Sequence, residues 1–442
     1  MEAVGSSSVS AVKRFRNVAI TVSAALVVLI VVAIVLIRRN SSTSPTATEP
    51  APTATEPAPT GTQEAAPSAE PSPSVTETPW TGTWAVALQD GGRSFERQTV
   101  RQVLHTSIGG TTVRIRLSNE FGSDPLTISD VYLARSLRAG TVDAGTNAEV
   151  TFGGDDSVTI APGRTAVSDA VTFALPAGGD VAVTAYVPER IDSVGQHAFA
   201  NRNNYVASGN QSTKGSLPGV RTFDNYAFLS GVDVRDAAAE GAVVTLGASI
   251  TDGFDSTFNQ SRRWPDQLAR RLLADDREVG VLNAGISGNM LVGKGAGESA
   301  LKRFDRDVLA QPGVKWVIVS DTAINDLGGD NPPGADELID AMQQLIRRSH
   351  DAGVKIFCAT LTPYRGAGYW SSQGEAGREA LNEFLQADGS GCDAVIDFDA
   401  ATHDPDAPTR YDTRYDTGDH LHPNDAGMKA LAAAVDLDLF RS

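Results

Sequence analysis

Gly241-Ala-Val-Val-Thr-Leu-Gly-Ala-Ser-Ile-Thr-Asp-Gly253 decides how the rest of this chain is read. A continuous apolar run ends at Gly247, and a lone serine, Ser249, follows two residues later. An apolar run of that length bounded by glycine predicts a strand buried on both faces, as in a parallel sheet. Ligands of such sheets bind beyond the carboxyl ends of the strands, which is where Ser249 falls. Taken alone, the stretch reads equally well as a turn whose serine caps the next helix.

Downstream, strand and helix patterns alternate. Apolar strand runs are expected at 242–246, 279–282, 316–319, 354–361 and 394–398. Between them, Trp264, Leu268 and Leu272 recur at four-residue spacing, and Leu338, Met342, Leu345 and Ile346 share one helical face. Leu381, Phe384 and Leu385 mark another helix, and Pro423-Asn-Asp-Ala-Gly427 opens a last, alanine-rich one. Repeated βα units predict an α/β domain, residues 239–442, with helices on both faces of a parallel sheet.

Three further stretches supply partners for Ser249. Asn283-Ala-Gly285-Ile-Ser-Gly-Asn289 and Ala323-Ile-Asn325-Asp326 each follow a predicted strand, and Asp419-His-Leu-His422-Pro423-Asn424 lies near the carboxyl terminus. A serine hydroxyl is a weak nucleophile until a base removes its proton, and histidine suits that task near neutral pH. Asp419, three residues before His422, can fix the imidazole's tautomer. An ester carbonyl under attack develops an oxyanion that needs preorganised donors. The backbone N–H groups of Ser249 and Gly285 and the side-chain amide of Asn325 are the candidates. His420 is the competing base, and Asn325-Asp326 could instead be a simple turn. Tyr369 and Trp370 are candidates for contacting substrate, with packing as the other reading. His403, Asp404 and Asp406 lack zinc-like spacing, so no metal and no cofactor is expected.

These four stretches, in order, resemble the blocks of the SGNH (GDSL-type) hydrolase superfamily over about residues 239–442. The resemblance implies a flavodoxin-like three-layer fold and a serine esterase. By position it makes Ser249 the nucleophile, Gly285 and Asn325 oxyanion donors, and Asp419 and His422 the family's Asp-x-x-His. Two positions depart from the pattern: Ala248 stands where aspartate is usual, and Ala323 where glycine is usual. The substrate class implied is a carboxylic ester, either an O-acetyl group on a carbohydrate or a longer acyl chain. A non-catalytic surface binding protein on the same scaffold is the remaining alternative.

Upstream, residues 80–238 carry period-two patterns. Val113, Ile115 and Leu117 alternate with Arg114, Arg116 and Ser118, and Val181, Val183, Ala185 and Val187 repeat the pattern. Gly-Gly pairs at 109–110, 153–154 and 178–179 punctuate the runs. Short antiparallel strands in a jelly-roll-type β-sandwich are expected, resembling the non-catalytic domain of some two-domain carbohydrate esterases. Its expected role is structural or pocket-shaping.

Residues 39–79 are rich in Pro, Thr, Ser, Ala and Glu, and Pro45-Thr-Ala-Thr-Glu-Pro-Ala51 recurs as Pro52 to Ala58. That composition predicts a disordered stalk. Val18–Ile37 is an uncharged apolar run of 20 residues flanked by Lys13, Arg14, Arg16, Arg38 and Arg39. It is long enough to span a bilayer and has no small-residue cleavage site, so residues 17–38 are expected to be a signal anchor with residues 1–16 as a cytoplasmic tail. The expected location is the cell membrane, single-pass, with the catalytic domain outside the cytoplasm. The net charge of −17 argues against nucleic-acid binding. The two cysteines, Cys358 and Cys392, fit either one bridge or two buried thiols.

Overall fold

The computed structural model describes residues 78–328 and 331–441. The expected membrane span and nearly all of the stalk lie outside them. Among the described residues, no helix is long and apolar enough to cross a membrane.

The parallel sheet forms from the runs the sequence marks: β1 Gly241–Gly247, β2 Val279–Gly285, β3 Val314–Val319, β4 Lys355–Ala359 and β5 Ala394–Ile396. All neighbours pair in parallel, in the order β2-β1-β3-β4-β5. This is the flavodoxin-like doubly wound order, in which the chain reverses direction of winding between β1 and β3.

Alternate residues of β1 explain the layers. Ala242, Val244 and Leu246 enter one core with Leu338, Leu345, Leu381 and Leu385, whereas Val243 enters a second with Trp264, Leu268, Leu272 and Leu431. The first set lies on α4 Ala335–Asp351 and α5 Ser372–Gln386. The second lies on α2 Trp264–Ala274 and α7 Asp425–Ala434, after a short α1 Ser249–Asp252 and with α3 Ala300–Phe304 and α6 Phe398–Thr402 as lesser pieces. Each fully buried leucine of these faces contributes about 1.5–3 kcal/mol. Cys358 and Cys392 form a disulfide between the end of β4 and the turn before β5.

Residues 81–235 form two larger antiparallel sheets and a two-stranded one, Gln196–His197 with Tyr226–Ala227. One contains strands Thr81–Ala85, Gly110–Ser118, Thr165–Val167, Val171–Leu175 and Leu229–Arg235. The other is seven-stranded and includes Gln98–His105, Leu126–Arg135, Asp180–Val187 and Asn204–Ser208. Val113, Ile115 and Leu117 meet Val181, Val183 and Ala185 in one sandwich core.

The sandwich and the parallel-sheet domain belong to one compact unit spanning residues 75–442. Gly82 N–H donates to the Pro312 carbonyl at 2.9 Å, and Val281 N–H donates to Ser107 Oγ at 2.9 Å. Ala85 and Ala87 of the sandwich enter the same core as β1.

Candidate active site

β1 delivers Ser249 to the first position of α1, just beyond its carboxyl end. The turn is held from below by Asp321, whose carboxylate accepts the Ile250 N–H at 2.8 Å and the Thr251 hydroxyl at 2.6 Å. A carboxylate at these first free N–H groups suits the positive end of a helical turn. Gly253 ends α1 with φ of +89°, and a Cβ there would strike Arg263. A left-handed cap of this kind favours glycine.

His422 Nε2 lies 2.9 Å from Ser249 Oγ, and its Nδ1 lies 2.6 Å from Asp419 Oδ2. The other Asp419 oxygen accepts the N–H groups of Leu421 and His422, both at 2.9 Å. Burial pushes the Asp419 carboxyl up, but these N–H bonds and the imidazole outweigh it and hold it below the usual range. His420 is turned away into its own pair with Asp416, Nδ1 to Oδ2 at 2.6 Å. Ser249, His422 and Asp419 thus form one continuous hydrogen-bonded chain, while His420 stands apart.

Asn325 follows β3 and closes the third side. Its Oδ1 accepts the Tyr369 hydroxyl at 3.2 Å, and its Nδ2 donates to the Asn289 carbonyl at 2.8 Å. One amide hydrogen is therefore spent and one remains for a substrate oxygen. The next residue, Asp326, accepts the N–H groups of Leu291 and Gly293 at 2.6 and 2.7 Å and so shapes the loop after the second block. Its carboxyl is raised, because burial outweighs those bonds.

Below the site, the fully buried Arg303 guanidinium ties the strand ends together. It donates to the Gly247 carbonyl at 3.1 Å, to the Ala284 carbonyl at 2.7 Å, and to Asn289 Oδ1 at 3.1 Å. Asp307 Oδ2, 3.2 Å away, balances the charge.

Residues 245–430 match the model of the GDSL-like lipase/acylhydrolase family. The domain is a GDSL-like acylhydrolase, and the chain carrying it is a carboxylic ester hydrolase. No curated protein matches the sequence. Solved structures similar to it include a family two carbohydrate esterase from Clostridium thermocellum in complex with cellohexaose, with 13% identity and a TM-score of 0.35, covering 82% of this chain and 93% of that one. A family two carbohydrate esterase from Cellvibrio japonicus has 11% identity and a TM-score of 0.34, covering 82% of this chain and 95% of that one. A GDSL-like lipase from Bacteroides thetaiotaomicron has 17% identity and a TM-score of 0.34, covering 44% of this chain and 85% of that one. At these values the likenesses carry no argument about substrate.

One expected donor of the acylhydrolase domain needs correcting. The Gly285 N–H is already committed to Asn283 Oδ1 at 2.8 Å. Gly285 serves close packing instead, since a Cβ there would lie 2.5 Å from the Asp252 nitrogen. Three residues on, Gly288 is exposed, and among the described residues its N–H has no hydrogen-bond partner. The Ser249 N–H is likewise unpaired. Two glycines in one short block gave no sequence signal to separate them.

Tyr369 is brought to the site through Asn325, while Trp370 is anchored away from it, its Nε1 donating to Glu375 Oε2 at 3.1 Å and its ring under Arg365. Residues the sequence reading missed lie beside the imidazole. The Phe254 ring packs on His422 with centroids 4.6 Å apart, and the sandwich residue Phe199 packs on Phe254 at 5.7 Å. Asp255 brings a second carboxylate within 4.8 Å of the Asp419 and His422 side-chain ligand atoms.

Proposed function

We propose that the chain is a serine esterase that hydrolyses carboxylic esters through an acyl-enzyme on Ser249. The observation that carries this reading is the 2.9 Å and 2.6 Å hydrogen-bonded chain Ser249–His422–Asp419. Ser249 Oγ adds to the ester carbonyl while His422 Nε2 takes its proton. The carbonyl oxygen becomes an oxyanion, received by the Asn325 amide and the N–H groups of Ser249 and Gly288. Collapse of this intermediate breaks the bond to the alcohol oxygen, which leaves with the proton returned by His422. Water then adds to the acyl-enzyme with His422 again as base, releasing the carboxylic acid and restoring Ser249. Asp419 orients the imidazole and stabilises its charged form.

The substrate class proposed is an O-acetylated carbohydrate. Supporting it is the pair of tilted aromatic rings, Phe199 and Phe254, beside the base, apolar faces on which a sugar ring can pack. The exposed Phe258 on the same loop also favours a second reading, a lipase or thioesterase of longer acyl chains. Hydrolysis rates for p-nitrophenyl esters from acetyl to octanoyl, together with acetylated oligosaccharides, separate the two. Rates that climb with chain length, with no release of acetate from the oligosaccharides, would reject the carbohydrate reading.

The proposed location is the outer side of a membrane, anchored by Val18–Ile37. The apolar run supports this, and the Cys358–Cys392 disulfide suits an oxidising compartment. Membrane fractionation of the full chain tests it, and a fully soluble, uncleaved protein would reject it.

A further inference from the structure

A histidine of the β-sandwich reaches under the nucleophile loop. His197 is 2% exposed, and its Nδ1 lies 3.0 Å from the Ala87 carbonyl. Its Nε2 lies 3.0 Å from both the Phe199 carbonyl and Asp252 Oδ1. Every partner is an oxygen acceptor, and Nε2 is within hydrogen-bond distance of the Asp252 carboxylate. Asp252 is the last residue of α1, three positions after Ser249, and is itself 2% exposed. Its second oxygen, Oδ2, accepts the Ser287 N–H at 2.9 Å and the Ser287 hydroxyl at 2.7 Å. Ser287 immediately precedes Gly288.

We infer that His197 is a positioning residue of the esterase site, acting through Asp252 on the Ser287–Gly288 turn, so that the β-sandwich completes the catalytic centre. The inference rests on the serine esterase reading above. A buried carboxylate that loses a hydrogen-bond partner is costly to keep and moves. Asp252 has to stay in place to hold Ser287, and the His197 ring is the buried group against its other oxygen. A shift of about 1 Å in an oxyanion donor costs on the order of 100-fold in rate. Neighbouring sandwich contacts reinforce the link. Asn201 Nδ2 donates to Ser256 Oγ at 2.7 Å, and Arg263 bridges the Ala200 and Asp252 carbonyls, each at 2.6 Å.

The test uses the full chain and three variants, His197→Gln, Ser287→Ala and the pair combined, assayed with p-nitrophenyl acetate beside the wild type. His197→Gln keeps polarity but removes the ring that meets the Ala87 carbonyl and Asp252 from its two ends. Each single variant should lower kcat by about 10- to 100-fold with KM changed by less than about twofold, because the contact serves the transition state. The combined variant should lose little more than either single one, because both act through Asp252. Labelling of Ser249 by a fluorophosphonate, slowed in parallel with kcat, shows that the nucleophile persists. A wild type that neither hydrolyses the ester nor labels defeats the esterase reading itself. An active wild type with full kcat in His197→Gln and Ser287→Ala overturns the inference alone. If His197→Gln fails to fold, Ser287→Ala decides, since its hydroxyl can be removed without leaving a buried charge unpaired.

Discussion

The Tyr369 hydroxyl lies 3.2 Å from Asn325 Oδ1 and donates to it. That bond, with the Asn289 carbonyl on Nδ2, fixes which end of the amide faces the serine. Asn325→Ala should therefore lower kcat by roughly 100- to 1000-fold with little loss of stability. Tyr369→Phe should cost less, about 10-fold, and act on kcat rather than KM. Steady-state kinetics on a short-chain ester measures both. A Tyr369→Phe variant altered only in KM would make the tyrosine a substrate contact instead.

Asp419 governs the acid side of the pH profile. Its folded pKa is depressed, so the stabilisation it gives is complete above the ordinary carboxylate range and is lost only as pH falls through the lowered value. Above about pH 5, where even an ordinary carboxylate is ionised, protonation of Asp419 should therefore make no contribution to the loss of kcat/KM. A carboxylate limb above that pH which disappears in Asp419→Asn would contradict this.

Arg303→Met should destabilise the fold by about 2–4 kcal/mol, since it leaves two buried strand-end carbonyls and Asn289 Oδ1 without their donor, while Asp307 keeps its pair with Arg306. Chemical denaturation measures this directly. A loss below about 1 kcal/mol would mean the strand ends hold their geometry without it.

Residues 239–442 expressed alone should be poorly soluble or markedly less stable than the longer chain. Truncation exposes the Ala242 and Leu282 core that Ala85 and Ala87 cover and removes the His197 partner of Asp252. Differential scanning calorimetry and ester hydrolysis on both forms check it. Equal melting temperature and equal kcat would defeat the expectation.

Much of the architecture was legible because parallel strands advertise themselves. Val243 and Val244 face opposite cores, so β1 is buried at every position and reads as a nearly continuous apolar run, and a motif then followed its end. The Ser249–His422 pairing was legible through residue chemistry despite a sequence separation of 173. What stayed hidden depended on which partner a group had already taken. Nothing in Asn283-Ala-Gly285 says that the asparagine side chain consumes the Gly285 N–H. Likewise, His197 ends a two-residue strand and Phe199 follows it, and their meaning comes only from the loop 252–256 folded against them. The unlabelled cysteine alternatives resolved the same way, once β4 and β5 lay side by side.

Covalent labelling of Ser249 bears most directly on the mechanism. Full-length protein treated with a fluorophosphonate should gain one adduct by mass spectrometry, mapped to Ser249, with ester hydrolysis lost in step. Ser249→Ala and His422→Ala should neither label nor turn over, while His420→Ala, whose imidazole is held by Asp416, should do both at wild-type rates. Full hydrolysis by Ser249→Ala, or an active His422→Ala beside a dead His420→Ala, would contradict the assignment.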